Sequence, residues 1–483
     1  MPADTSRPIT PNTQIPHSTE LERIFALQKA GYSKEPNPTK ADRQARLNAL
    51  IAALEENEKR LIDAINSDFG GRSGTESLLA DIVVSIAAVK DARRNLGKWM
   101  KKRSVPTPLH MLPASSALEP QPLGVIGIIS PWNYPVQLAM SPTSAALAAG
   151  NRVMIKPSEL TPATSEVMRE MISKTFDEDQ VAVITGAVEV GQAFAETPFD
   201  HLLFTGSTPV GRKVAMAAAQ HLTPVTLELG GKSPAIIDQS ADINRAALSI
   251  AHGKMYNAGQ TCIAPDYVLA PRDKVSDVAN AIATSARTLF PEIDTTEDYS
   301  AIISERHLAR LSGLIDDARD AGAEIIEIGS SNALTPKGKL PLTLVINPPQ
   351  EIPLMQEEIF GPVLPILGVG GREEAIEYVN RNDRPLALYW FGDEKAACDD
   401  VLSRTVSGGV TVNDTLWHVA QENLPFGGVG PSGIGAYHGA AGFETFSHMK
   451  PVFRQSRFAS SKMLYPPYTD KTAKMIGLFR KLI

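Results

Sequence analysis

LGVIGIISPWNYPVQLAMSPTSAALAAGNRVMIK, residues 123–156, is the stretch on which the fold turns. Its ends, 123–129 and 152–155, are short apolar runs of strand length, and a helical pattern fills the interval. Apolar runs at 181–184 and 202–204 continue the alternation. Strand and helix taking turns in this way predict βαβ units around a mostly parallel sheet. The texture repeats over 233–425, with apolar runs at 267–270, 324–328, 342–346 and 386–391, so two α/β halves are expected. Upstream, Leu47, Leu50, Ile51, Leu54, Leu61 and Ile65 form one stripe of an amphipathic helix over 40–69, and a second helical stretch covers 77–100. Residues 104–122 hold five prolines and no long apolar run, which predicts a loop or edge hairpin leaving the main body, available to an oligomer interface.

A chain of 483 residues exceeds what one core usually serves, so about three domains or sub-domains are expected. With 43% hydrophobic and 21% charged residues the composition is that of an ordinary globular protein. The net charge of −7 and the absence of nucleic-acid-binding signatures argue against a nucleic-acid partner. Cys262 and Cys398 are too few for a disulfide framework, and no run approaches the roughly 20 apolar residues that span a bilayer. Residues 1–16 read as a flexible leader, and the expected location is the cytoplasm. The tail from His448 carries basic residues from Lys450 to Lys481 against one acid, Asp470. Its reading is a solvated tail packed on a dimer mate, with contact to an anionic membrane the lesser alternative.

Several motifs fail. The stretch Gly230-Gly231-Lys232-Ser233 lacks the earlier glycine of a phosphate-binding P-loop, because Thr226 stands there. No histidine set has metal-ligand spacing, so no metal is expected, and no G-x-S-x-G elbow exists.

What remains are segments placed at the ends of the expected strands. Tyr256-Asn257-Ala258-Gly259-Gln260-Thr261-Cys262 sets a cysteine between a helix and a strand. A lone cysteine usually packs in a core, but Gly259 loosens the backbone so that an exposed thiolate is presented from a turn. Such a thiolate attacks carbonyl carbon. Glu228, flanked by Leu227 and Leu229 and followed by two glycines, is either a loop carboxylate or a base whose pKa burial has raised. Asn133, in the turn Pro131–Pro135, can donate to a developing oxyanion beside the Cys262 N–H, or serve a plain proline turn. Lys156 and Glu159 can hold ribose hydroxyls, with Glu159 repelling an added phosphate, while capping of the following helix explains Ser158 and Glu159 equally well. Residues 201–211 read as strand, glycine turn and helix aimed at a phosphate, though without G-x-G-x-x-G.

Taken in order, PWNYP at 131, KPSE at 156, FTGSTPVG at 204, LELGGKSP at 227, NAGQTC at 257, QEEIFGP at 356 and LPFGGVGPSG at 424 resemble the aldehyde dehydrogenase superfamily from about Leu47 to Lys450. Tyr134, residues 263–267 and residues 435–439 resemble its class 3 branch, and 413–419 resembles bacterial coniferyl aldehyde dehydrogenases. The resemblance implies two Rossmann-like open-sheet domains plus a small oligomerisation element. An NAD(P)-binding domain is expected over 17–231, interrupted by an oligomerisation hairpin at 104–122, with a catalytic domain over 232–425 and a return segment and tail over 426–483.

It also implies roles: Cys262 the nucleophile, Glu228 the general base and Asn133 the oxyanion donor. Lys156, Glu159, Gly206, Ser207, Thr208, Gly211, Glu358 and Phe360 would contact NAD, with NADP the alternative. Tyr134, Leu138, His252, Tyr256, Trp417 and His418 are either tunnel residues for an aromatic or extended apolar aldehyde, or core packing. His252 departs from the tryptophan of many class 3 relatives, which bears on tunnel shape. The implied reaction oxidises a small-molecule aldehyde, aromatic or cinnamic of coniferyl type or else medium- or long-chain aliphatic, to the acid by way of a thiohemiacetal and thioester, in a homodimer. A CoA-acylating enzyme and a non-catalytic protein on the same fold are the competing readings.

Overall fold

The computed structural model describes residues 16–329 and 338–482. The expected leader lies outside the described residues up to 15, and the helix Pro16–Lys34 begins where it was to end.

Two open α/β sheets make up the body. The first has the order Gly433–Ile434, Val225–Leu229, His201–Gly206, Val125–Ile129, Arg152–Lys156, Val181–Val183, all parallel except the two-residue edge strand. The second runs Glu324–Ile328, Leu342–Ile346, Val363–Val369, Tyr267–Pro271, Pro234–Ile237, Ala387–Phe391, Gly409–Val412, with only its first pair antiparallel. Parallel strands covered on both faces carry continuous apolar runs instead of alternation. That is why Val125–Ile129 and Ala387–Phe391 stand out in the sequence. The chain crosses from one sheet to the other between Leu229 and Pro234, so the turn after Glu228 lies at their junction.

Helix Gln137–Ala149, between two strands of the first sheet, is buried at every position. Its small Ala and Ser residues allow the close approach of Lys40–Phe69 and Val84–Trp99, which pack against it. Helix Lys40–Phe69 matches its expected span and opens with a reciprocal capping box between Thr39 and Asp42.

A third sheet has three strands. Arg103–Val105 and Ser115–Pro122 form the expected hairpin, and Ser447–Arg454 pairs antiparallel with the latter over its whole length. Here the solvated-tail reading needs correction. The first part of the basic tail is a strand of its own chain, with Arg454 bonded to Glu119 at 3.0 Å, and helix Asp470–Leu482 lies against Leu109–Met111. Cations spaced along an exposed strand look like a solvated run when read linearly.

Candidate active site

The site grows from three strand ends and two loops. Glu228 sits on Val225–Leu229, in register with Thr205 on one side and Gly433 on the other. Both carboxylate oxygens are buried with no hydrogen-bond partner among the described residues. Burial raises its pKa well above the usual carboxylate value.

Cys262 follows helix Ile243–Met255 through a turn in which Asn257, Ala258 and Gly259 all have positive φ, at 51°, 52° and 72°. Gly259 is more than a loosening residue. A Cβ there would lie 2.4 Å from the Gly361 carbonyl oxygen, so two backbone loops meet where only glycine fits. The Gln260 side chain fixes the turn from below, donating to Asn257 O and Ala301 O at 3.0 Å and accepting from Ile303 N at 2.9 Å. The thiol is half-buried, where an exposed one was expected. Burial, then the nearby Glu358 and Glu228 carboxylates, push it up to about 12. Reactivity therefore needs a local positive charge.

The two loops that carry Asn133 and Cys262 are laced together. Asn133 Nδ2 donates to Gln260 O at 3.1 Å, Asn257 Nδ2 donates to Asn133 O at 3.1 Å, and the Tyr134 hydroxyl meets Thr261 Oγ1 at 2.6 Å. The amide of Asn133 thus points into the turn that presents the thiol and keeps a second N–H free for a ligand.

Glu358 comes from the loop after Pro353–Gln356. It accepts from the Gly231 N–H, leaves Oε1 with no partner among the described residues, and is pushed by burial and by Asp266 to about 8. Its carboxylate fills the space at Gly230, where a Cβ would come within 2.0 Å. Lys232, the residue of the failed P-loop match, is a strut: its Nζ reaches Asp266 Oδ2 at 2.5 Å, Leu354 O at 2.9 Å and Glu357 O at 2.8 Å. Next along the chain, Phe360 at φ 50° packs edge-on against Trp132, ring centroids 5.4 Å apart.

At the carboxyl ends of the first sheet, buried Lys156 donates to Pro157 O at 2.9 Å and Glu159 Oε2 at 3.0 Å. Capping by Ser158 and Glu159 is not observed. The first amides of helix Pro162–Thr175 go to Asp68, with Ala163 N at 3.0 Å and Thr164 N at 2.8 Å. Helix Thr208–Ala219, after Gly206 and Ser207, starts without any side-chain cap bond, and Gly211 packs its backbone on Leu229. An uncapped helix start, a buried lysine and an orphaned Glu358 oxygen along one rim fit a dinucleotide. Among the described residues, no His, Cys, Asp or Glu cluster is arranged to hold a metal ion.

The tunnel candidates separate. Tyr134 and Leu138 are buried, His252 and Tyr256 face each other with rings 5.5 Å apart, Trp417 is 65% exposed, and His418 turns inward between Tyr389 and Phe426.

A family model described as the aldehyde dehydrogenase family matches residues 8–452. The chain belongs to the aldehyde dehydrogenase family. It is 50% identical over 457 residues to a probable coniferyl aldehyde dehydrogenase of Pseudomonas aeruginosa, covering 95% of each chain. Among solved structures it resembles the substrate-bound state of Staphylococcus aureus AldH, with TM-score 0.90, 38% identity, and 95% and 99% of the two chains covered. It also resembles an aldehyde dehydrogenase of Mycobacterium tuberculosis complexed with NAD+, with TM-score 0.82, 27% identity, and 91% and 90% covered.

For this aldehyde dehydrogenase, sequence reading missed two groups beside the motifs. Lys254 is wholly buried with no hydrogen-bond partner for Nζ among the described residues, and burial lowers its pKa to about 8. The Tyr437 phenol is buried near enough to feel the charges of Glu228 and Cys262. Only a helix-face argument could have flagged Lys254, and Tyr437 was legible only as part of the class 3-like segment 435–439, with nothing there to give it a role.

Proposed function

We propose that the chain oxidises an aldehyde to the carboxylic acid through a thiohemiacetal and a thioester on Cys262, with water as acyl acceptor. The observation that carries this reading is Glu228: a buried carboxylate with no hydrogen-bond partner among the described residues, whose charge reaches the Cys262 thiol. A carboxylate so placed costs stability and is suited to take a proton from water held beside the acyl group.

The thiolate of Cys262 adds to the carbonyl carbon, and the oxyanion takes the free amide N–H of Asn133 together with the Cys262 backbone N–H. A bound nicotinamide cofactor would supply the positive charge that favours the thiolate and the acceptor for the hydride that leaves the adduct carbon. Lys156 and Glu159 would hold its ribose, residues 206–211 its phosphates, and Glu358 and Phe360 its nicotinamide end. Glu228 then deprotonates the water that attacks the thioester, and collapse of that adduct returns the thiolate and releases the acid. Base assistance of this kind is worth about 10²–10⁴ in rate.

The substrate class is an aromatic or cinnamic aldehyde of coniferyl type. The 50% identity to a probable coniferyl aldehyde dehydrogenase and the aromatic pair His252–Tyr256 near the nucleophile turn support this. NAD is favoured over NADP because the Glu159 carboxylate repels an added ribose phosphate. The proposed division is a cofactor domain over 17–231, a catalytic domain over 232–425 and a return segment over 426–483. In this division the three-stranded sheet serves a homodimer, and the two free cysteines suit the cytoplasm.

Steady-state kinetics on cinnamic, benzylic and linear aldehydes with both cofactors, and without CoA, test the reading. Free acid and the highest kcat/KM for cinnamic aldehydes with NAD are expected. A preference for long linear aldehydes would overturn the substrate class, and a requirement for CoA would overturn the hydrolytic step.

A further inference from the structure

Beneath the turn that carries Asn133 lies a set of buried charges that the reaction itself does not use. The Arg72 side chain is 0% exposed, and its Nη1 donates to Asn133 O at 2.9 Å. Nη2 stands 3.2 Å from Asp81 Oδ2, and the Asp81 side chain is also 0% exposed. The guanidinium carbon lies 4.8 Å from the centre of the Tyr134 ring and 5.0 Å from that of Phe69, so the cation is sandwiched by aromatic faces. Asp81 Oδ1 accepts from Val136 N at 3.0 Å and Gln137 N at 3.1 Å, at the start of a helix whose own first residues supply no cap. The two members of one ion pair therefore grip the same short turn, one at Asn133 and the other at its exit.

The same stretch of chain reaches the nucleophile turn. Glu76 Oε2 accepts from Asn257 N at 3.1 Å and from Ser300 Oγ at 3.0 Å, and Asn257 Nδ2 shares the Asn133 carbonyl with Arg72. Asp81 lies in a six-residue π-helical stretch, Leu78–Val83, between the α-helical Gly74–Ser77 and Val84–Trp99. Wide helical turns of this kind are rare and concentrate at functional sites. A buried ion pair is also a poor stability device. Removing two charges from water costs several kcal/mol per ion, and well-packed apolar residues often do as well or better. What an apolar pair cannot do is aim a peptide carbonyl and two peptide N–H groups at fixed positions.

We propose that Arg72, with Asp81 as its counter-charge, is a positioning residue for the oxyanion donor: it fixes the Asn133 backbone so that the side-chain amide meets the developing oxyanion over Cys262. This rests on the oxyanion role of Asn133 proposed above. Placement within about 1 Å is what such donors require, and losing it can cost about 10² in rate.

A double-mutant cycle on the full-length protein tests it, read by the pre-steady-state burst of NADH with cinnamaldehyde. Asn133→Ala is expected to slow the burst by about 10²–10³. The charge-free pair Arg72→Met with Asp81→Asn is expected to slow it by about 10², with NAD affinity unchanged. Combined, they are expected to be no more than about 3-fold slower than Asn133→Ala alone, because a displaced donor that is already absent costs nothing further. If the losses multiply in full, Arg72 acts by another route and the proposal is overturned. Should Asn133→Ala leave the burst unchanged, the oxyanion assignment itself is wrong, a result distinct from additivity. If the pair variant does not fold, the cycle is run with Arg72→Lys, which keeps a charge opposite Asp81 but lacks the fork that also reaches Asn133 O. The same non-additivity is expected, and full additivity again overturns the proposal.

Discussion

Gly259→Ala is the substitution whose consequence the structure fixes most closely. The residue has φ 72°, and an added Cβ would lie 2.4 Å from the oxygen of Gly361, 2.6 Å from its carbonyl carbon and 3.0 Å from the oxygen of Lys254. All three are backbone atoms, so no rotamer change relieves the overlap. The left-handed conformation costs an alanine roughly 1–2 kcal/mol, and overpacking of this kind adds roughly 1–3 kcal/mol. A loss of about 2–5 kcal/mol is expected if the loop holds. If it yields, Cys262 moves with it, and a displacement near 1 Å lowers the acylation rate by about 10². Gly313 provides the control: it lies within helix Glu305–Asp320 with nothing within 4 Å of an added Cβ, so Gly313→Ala is expected to gain up to about 1 kcal/mol. Denaturant unfolding and the NADH burst, measured on both variants, decide the matter. A Gly259→Ala protein with parental stability and burst rate would refute the close-approach argument.

Two further outcomes follow from buried charge. Lys254 has a folded pKa near 8 against an ordinary value of 10.5, so the folded protein binds that proton less tightly than the unfolded chain. The penalty sets in as pH falls below 10.5, is complete below about 8, and amounts to roughly 3 kcal/mol there. Lys254→Met is therefore expected to unfold at higher denaturant than the parent at pH 7, with the gain fading towards pH 10.5; a less stable variant at pH 7 would contradict this. Glu358, with its carboxyl at about 8, opposes thiolate formation at Cys262 once ionised. Glu358→Gln should thus alkylate with iodoacetamide faster than the parent at pH 9 and at the same rate at pH 6, and a pH-independent difference would mean that shape, not charge, is responsible.

The body of the fold was legible because parallel strands buried on both faces write themselves as unbroken apolar runs, as at 125–129, 267–271 and 387–391. Pro234–Ile237 is short and begins with proline, and Gly433–Ile434 has two residues, so neither carries such a signal. Ser447–Arg454 was hidden by its cations. The seven motifs located Cys262, Glu228 and Asn133 at strand ends and turns, yet what acts on them from a distance was silent. Arg72 meets Asn133 across 61 positions, and Asp68 reaches the start of a helix 95 positions on. Contacts of that range exist only after the chain has folded. The thiol's environment likewise depends on packing and on two carboxylates brought in by other elements, so linear context suggested exposure where the structure half-buries the thiol.

In the proposed reaction, water activated by Glu228 releases the acid from a thioester on Cys262. Its most direct test is Glu228→Gln mixed with NAD and a cinnamic aldehyde, followed by stopped-flow NADH absorbance and intact-protein mass of the quenched enzyme. A near-stoichiometric burst, slow turnover after it, and an acyl mass on the peptide that contains Cys262 are expected. Unimpaired steady-state turnover with no accumulating adduct, or an adduct on another residue, would contradict it.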